Sequence, residues 1–222
     1  MALHLNTVST LLWESLNTLM SIEEFNDFRL VGGTSLSLQQ GHRESTDIDL
    51  FTDAEYGSLD FNRLEEILNE TFPYTYLTSV GDVVFGRSYF IGESETNALK
   101  LDIYYSNEPF IFPILLDGVV RLAPNEEIAA MKFEVITNDN KGRKKDFWDI
   151  HELLDVFTLE EMIGFYLQRN PYGSTREEVL EACLDFSGAE DDLLPNCYRN
   201  KAWELIKLDI EEEVQNITKS DN

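Results

Sequence analysis

The period of the hydrophobic pattern switches near Pro124, and this narrows the folds open to the 222-residue chain more than any other feature. Upstream, apolar and polar residues alternate, as they do in strands with one buried face. Asp47-Ile48-Asp49-Leu50-Phe51 reads as such a strand, and Asn97–Tyr105 sets Leu99, Leu101 and Ile103 against Lys100, Asp102 and Tyr104. Residues 28–31 form a short strand that ends in Gly32-Gly33. Residues 74–80 and 83–91 are β-rich runs separated by Gly81-Asp82, a hairpin signal, and another short strand is expected near Val119. Helices are expected at 3–20, 34–40 and 61–68, the last capped by Ser58 or Asp60. Downstream, Pro124 suits a first helical turn, and helical spacing recurs over 125–137, 145–156, 159–168, 176–183 and 200–217. The expected fold class is α+β: an α/β core over residues 1–123 and a helical portion over 124–222. No flexible linker, internal repeat or low-complexity segment separates them.

Composition excludes several classes. With 43% apolar and 12% aromatic residues the chain can bury a core. No apolar run approaches the ~18 residues of a membrane span. The opening MALHLNTVST lacks the basic stretch and cleavage site of a signal peptide, so a cytoplasmic protein is expected. Two cysteines, Cys183 and Cys197, make neither a disulfide framework nor a zinc knuckle, and three scattered histidines add no metal-ligand spacing. No G-x-S-x-G elbow and no G-x-x-x-x-G-K-[ST] loop occurs, which excludes those serine hydrolases and P-loop NTPases. The 17 Lys and Arg oppose 42 Asp and Glu, a net charge of −25 spread over both portions. Such a surface repels a phosphate backbone at long range and disfavours non-specific binding to nucleic acid or anionic membrane. Basic residues concentrate at Lys141, Arg143, Lys144 and Lys145, so any anion site is expected to be local.

The residues that carry chemistry are chiefly acids. Asp47 and Asp49, two apart on a strand, share a face. Like charges so placed repel, and a bound Mg²⁺ or Mn²⁺ would offset the repulsion and suit phosphoryl-type displacement. Asp102 lies mid-strand in LKLDIYY, an expensive place for a charge unless it faces a polar site. Gly32-Gly33, followed by Thr34-Ser35, stands between a strand and a helix. Glycines there let backbone N–H groups approach a phosphate, and the helix N-terminus favours an anion. A tight turn and a solvated strand face are the plain alternatives. The joint pattern of strand, Gly-Gly, helix, loop and D-x-D strand is the more specific reading.

The segment VGGTSLSLQQGHRESTDIDLF resembles the first motif of the polymerase-β-like nucleotidyltransferases. Together with MKFEVITNDNKGRKKDFWDIHELL, it is similar to the AbiEii/AbiGii-type nucleotidyltransferase toxins over roughly residues 28–156. The resemblance implies a polymerase-β-like fold with a small mixed sheet flanked by helices, the helical portion closing over the nucleotide. It implies Mg-dependent transfer of a nucleoside monophosphate from a nucleoside triphosphate to an acceptor hydroxyl. By the same resemblance Gly33 and Thr34 would hold the triphosphate, with Gly32 and Ser35 alongside. Asp47 and Asp49 would bind the metal, and Asp102 would complete its site and help activate the acceptor. Lys132 would pair with phosphate oxygens as a compact point charge. Asp146 matches the last motif, and Asp149 follows three residues later on the same helix face. A further implication is growth inhibition, as the toxin of a toxin–antitoxin or phage-defence pair, with tRNA ends or protein hydroxyls as acceptors and a cognate antitoxin as partner.

One departure stands out. Gly33 occupies a position that is often Ser in the superfamily, so side-chain contact to phosphate falls to Thr34 or Ser35, or is absent. Arg43 is read as a phosphate ligand, a partner of Asp47, or a loop residue paired with Glu44. His42 is read as structural. Without the resemblance, Lys132, beside Ile128, Met131 and Val135, reads as a snorkelling surface lysine. Two other functions stay open: transfer of a nucleotide to a cationic small molecule, as antibiotic adenylyltransferases do, which the acidity suits; and a non-catalytic acidic module that binds nucleotide or a basic partner.

Overall fold

The alternating segments pair into one mixed seven-stranded sheet in a computed structural model, which describes residues 2–78, 85–139 and 141–220. The first helix, α1 (Thr10–Met20), starts later than the apolar spacing suggests, because the Ser9 hydroxyl accepts the Leu12 N–H and caps it there; residues 5–7 form a separate 3₁₀ turn. Strand β1 (Arg29–Leu30) runs directly into α2 (Gly32–Gln40), which begins two residues before the expected start and takes both glycines into its first turn. Next come β2 (Asp47–Thr52) and α3 (Phe61–Thr71), the latter capped by the Asp60 carboxylate, which accepts the N–H groups of Asn62 and Arg63.

Strands β3 (Tyr74–Leu77) and β4 (Gly86–Ser94) pair antiparallel as the hairpin signal requires; Gly81-Asp82 itself lies outside the described residues. After β5 (Asn97–Tyr105), two short strands, β6 (Leu115–Asp117) and β7 (Val120–Leu122), turn about Gly118 where a single strand was expected. Five helices follow: α4 (Asn125–Thr137), α5 (Lys144–Leu153), α6 (Leu159–Arg169), α7 (Arg176–Cys183) and α8 (Trp203–Ser220).

The strand order is β3-β4-β5-β2-β1-β7-β6, with β2 parallel to β5, β1 parallel to β7, and the other pairs antiparallel. Period-two alternation decides which face is buried. Ile48, Leu50, Leu101 and Ile103 point to one side, where Leu12, Leu16 and Leu19 of α1 and Leu64 and Leu68 of α3 join them in an apolar core. Each such side chain contributes about 1.5–3 kcal/mol by leaving water. A second apolar cluster lies among the C-terminal helices, with Phe133, Phe147, Trp148, Met162 and Trp203 buried and Val31 and Leu36 reaching it from the first portion. The sheet face that β2 and β5 turn away from the first core therefore looks toward α4 and α5. Among the described residues no helix is long and apolar enough to cross a membrane.

Candidate active site

The in-register pairing of β2 with β5 sets Asp47 beside Lys100 and Asp49 beside Asp102 on the face opposite the core. All three sequence-selected carboxylates thus share one face. Lys100 Nζ donates to Asp102 Oδ2 at 2.6 Å, while Asp102 Oδ1 is buried without a hydrogen-bond partner. Asp49 has a perturbed carboxyl. Burial first, then the charges of Asp102 and Asp47, push its carboxyl up to about 6, against the opposing pull of Lys145 and Lys100. Asp47 is more open, with Lys145 Nζ at 3.7 Å from Oδ2. A crowded set of hard oxygen ligands with one unpartnered oxygen fits a divalent cation such as Mg²⁺. Among the described residues no three acid, imidazole or thiol groups already converge as a metal cluster.

The glycines owe their identity to what lies against them. Gly32 has φ +67, in the left-handed region, and a Cβ there would stand 2.7 Å from Asp49 Oδ2. A Cβ on Gly33 would collide with Arg43 Nη2. Both glycines line the cleft at the start of α2, where the first helical N–H groups lack intrahelical partners. The side chains of Thr34 and Ser35 do not reach it. Thr34 Oγ1 donates to the Asp47 carbonyl and lies 2.8 Å from Ser45 Oγ, and Ser35 Oγ donates to the Ala123 carbonyl at 3.0 Å. Of the alternatives, the arrangement is the one without a hydroxyl aimed at the cleft: both hydroxyls tie α2 to the neighbouring chain, and the cleft sees the glycine backbone.

Arg43 is likewise committed elsewhere. It is buried, and its Nε and Nη2 grip the two oxygens of Asp149 at 2.7 and 2.8 Å, rather than Asp47; Nη1 donates to the Glu44 carbonyl. His42 Nε2 meets Asp149 Oδ1 at 2.8 Å, and Lys132 Nζ meets Oδ2 at 2.7 Å. Asp149 is fully buried, and the charges of Arg43 and Lys132 with the His42 contact hold its carboxyl well below the usual range despite that burial. Lys132 is not a snorkelling surface lysine: it is buried between Asp149 and Asp146, whose Oδ1 accepts its Nζ at 2.7 Å. The other Asp146 oxygen accepts the Arg143 backbone N–H at the start of α5. Sequence reasoning noticed Asp149 only as a neighbour of Asp146. The D-x-x-D spacing was the available sign, and the structure makes Asp149 the joint between the His42-Arg43 loop, α4 and α5.

The basic run also divides. Lys144 Nζ is spent on the carbonyls of Glu190 and Asp192 at 3.1 and 2.7 Å, and Lys141 pairs with Asp185 at 2.8 Å. Arg143 and Lys145 alone of the four line the cleft, and each stands 3.7 Å from its nearest carboxylate. Burial, then the charge of Arg143, lowers the Lys145 pKa. The cleft, about 330 Å³, is floored by Gly32, Gly33 and Asp49 and walled by Lys132, Lys145 and Asp146. A second cavity of about 440 Å³ shares Arg143 and Lys145 and opens beside Asp47, under the 192–196 segment.

Glycine turn, paired acids on adjacent parallel strands, and a helix lysine braced by a carboxylate make a site that can hold a polyphosphate against a cation. Known proteins carry the same arrangement of chain. The chain is 25% identical to an uncharacterised protein of Aquifex aeolicus, over 91% of this chain and 96% of that one. Its fold matches a candidate nucleotidyltransferase of Helicobacter pylori with a TM-score of 0.55 at 19% identity, over 93% of each chain. It matches the nucleotidyltransferase toxin MenT4 of Mycobacterium tuberculosis with a TM-score of 0.55 at 16% identity, over 90% of this chain and 84% of that one. The sequence pattern described as nucleotidyl transferase AbiEii toxin, type IV toxin–antitoxin system, covers residues 15–215. The chain belongs to the AbiEii nucleotidyltransferase toxin family.

Proposed function

We propose that the protein transfers a nucleoside monophosphate from a nucleoside triphosphate to an acceptor hydroxyl and releases pyrophosphate, as the toxin of a toxin–antitoxin pair. The observation that carries this reading is the sharing of one sheet face by Asp47, Asp49 and Asp102, directly beside the Gly32-Gly33 start of α2. The triphosphate lies in the 330 Å³ cleft against the backbone of Gly32 and Gly33, with Lys145 and Arg143 near its charge. Lys132 is held in the cleft wall by Asp146 and Asp149, so its ammonium is fixed in place before a phosphate arrives. Asp47, Asp49 and Asp102 would hold Mg²⁺ or Mn²⁺, which supplies charge neutralisation to the phosphates. The acceptor enters from the 440 Å³ cavity, whose wall includes Asp47. Its oxygen bonds to the α-phosphorus as the bridging oxygen to the β-phosphate leaves, and its proton passes to an acid of the sheet face, with Asp102 the candidate base. Residues 1–123 then act as the catalytic core and 124–222 as the helical portion that closes the cleft through α4 and α5. The reaction is read as cytoplasmic, where nucleoside triphosphates are plentiful.

A tRNA end or a protein hydroxyl is the acceptor in this reading. Glu44, Asp47 and Asp192 also line the second cavity and favour, as a second reading, a cationic small acceptor. The test is a pair of assays on the purified protein. Mn²⁺ with each nucleoside triphosphate should raise the melting temperature by mass action, and label from the α-phosphate should appear on tRNA, protein or a small molecule. Absence of both responses with all four nucleotides removes the proposal; label on a cationic small molecule alone selects the second reading.

A further inference from the structure

Lys100 stands among the carboxylates where no role in the reaction has been given to it. It is registered beside Asp47 across the β2–β5 pair and lies two residues before Asp102 on the same strand face. Its Nζ is 2.6 Å from Asp102 Oδ2, and the other Asp102 oxygen is buried and unpartnered. The Lys100 side chain is 41% exposed, against 17% for Asp102, so the ammonium has a path away from the acids. Three carboxylates therefore share a sheet face with a lysine of that face, bonded to one of them, while Lys145 of α5 stands 3.7 Å from Asp47.

We infer that Lys100 is the built-in counter-ion of the divalent-cation site: it holds Asp102 while the site is free, yields Asp102 when the cation binds, and so sets the affinity for that cation. This rests on the reading of Asp47, Asp49 and Asp102 as the metal-holding set. Two effects act in the same direction. A carboxylate oxygen that accepts an ammonium hydrogen bond must give it up before it can ligate a dication in that direction. A positive charge left nearby also repels the incoming dication. Removal of the lysine charge should therefore tighten cation binding and loosen the metal-free fold. A lysine whose task is to grip a nucleotide phosphate predicts a different pattern: weaker nucleotide binding with unchanged affinity for the bare cation.

The experiment is a titration of nucleotide-free protein with Mn²⁺, with free ion followed by electron paramagnetic resonance, on wild type, Lys100→Met, Lys100→Gln and Lys100→Arg. The neutral variants should bind Mn²⁺ about tenfold more tightly and melt at a lower temperature in EDTA, whereas Lys100→Arg stays within about twofold of wild type. Lys100→Gln carries the test if Lys100→Met does not fold. Neutral variants that bind Mn²⁺ as weakly as wild type, or more weakly, overturn the inference. Asp47→Asn with Asp49→Asn separates the two levels. Should wild type bind and the double variant fail to bind while the lysine variants are unchanged, the metal reading stands and the role of Lys100 falls. Should wild type itself bind no Mn²⁺, the metal reading falls and takes this inference with it.

Discussion

Asp49 and Asp149 are carboxylates of one small region, yet replacing each by Asn should move stability in opposite directions. Asp149 is fully buried with Arg43, His42 and Lys132 on its two oxygens. Asparagine keeps the shape but removes the charge that offsets two buried cations and turns one acceptor into a donor facing donors. Removing one partner of a buried, hydrogen-bonded ion pair costs about 3–5 kcal/mol, which for a chain of this size is roughly 6–20 °C of melting temperature. Asp49 is the reverse case. Its carboxyl is raised from the usual 3.8 to about 6, chiefly by burial and then by Asp102 and Asp47. A group with a raised folded pKa stabilises the fold only while it stays protonated: its contribution is whole below about pH 4 and is lost as the pH rises through about 6. Each pKa unit is worth about 1.4 kcal/mol, so at pH 7 the ionised Asp49 opposes folding by up to about 3 kcal/mol. Asp49→Asn should therefore gain about 1–3 kcal/mol at pH 7 and nearly nothing at pH 4. Thermal unfolding followed by circular dichroism in EDTA, from pH 4 to pH 7, measures both. Asp149→Asn combined with Arg43→Met should lose less than the two single changes added together, since the pair is removed as a unit. The reasoning fails if Asp149→Asn melts within 2 °C of wild type at pH 7, or if Asp49→Asn is the less stable variant at both pH values.

Two further changes test the supports of the cleft. Gly33→Ala adds a Cβ where Arg43 Nη2 lies, so it should lower stability by about 2–3 kcal/mol through strain and a displaced guanidinium, read from the urea midpoint; an unshifted midpoint would mean that Arg43 moves freely. Lys144→Met should lower the melting temperature and leave the nucleotide response intact, because Lys144 Nζ holds carbonyls of the 190–192 segment, whereas Lys145→Met should do the opposite, because Lys145 faces the cleft and Asp47. Equal effects of the two on melting would contradict that division.

Much of this arrangement was legible in the sequence because period and register are local properties. Alternation around Asp49 and Asp102 predicted that Ile48, Leu50, Leu101 and Ile103 go inward and the acids outward, and the parallel β2–β5 pair does that. Helices α4 and α7 end where the 3.6-residue pattern ends. The partners of Arg43 and Lys132 were not legible. Arg43 and Asp149 are 106 residues apart, and nothing within either segment indicates that the guanidinium reaches the carboxylate on α5. The basic run misled for a related reason. Four neighbouring cations look like one patch, but consecutive helical positions point in different directions, so Lys144 turns inward while Lys145 turns to the cleft. The orientation of Thr34 and Ser35 was not legible either, because α2 starts at Gly32, which turns their hydroxyls toward Asp47 and Ala123.

The departure at Gly33 links these points. Here Arg43 Nη2 fills the space in which a side chain would begin, and Asp149 fixes Arg43 there. A larger residue at Gly33 would push the guanidinium off its carboxylate and leave Asp149 with Lys132 and His42 alone. The turn therefore offers the cleft backbone in exchange for a side chain. That exchange divides the acids of the site into two sets. Asp146 and Asp149 are neutralised from within by Lys132 and Arg43, which makes the cleft wall rigid without a ligand. Asp47 and Asp49 have only distant or partial compensation, Lys145 at 3.7 Å and the charge of Lys100, so repulsion between them persists until a cation arrives. A chain with 17 basic against 42 acidic residues has few cations to place. Within this site it places them most fully on the wall, and leaves the sheet face as the part with the most to gain from binding a dication.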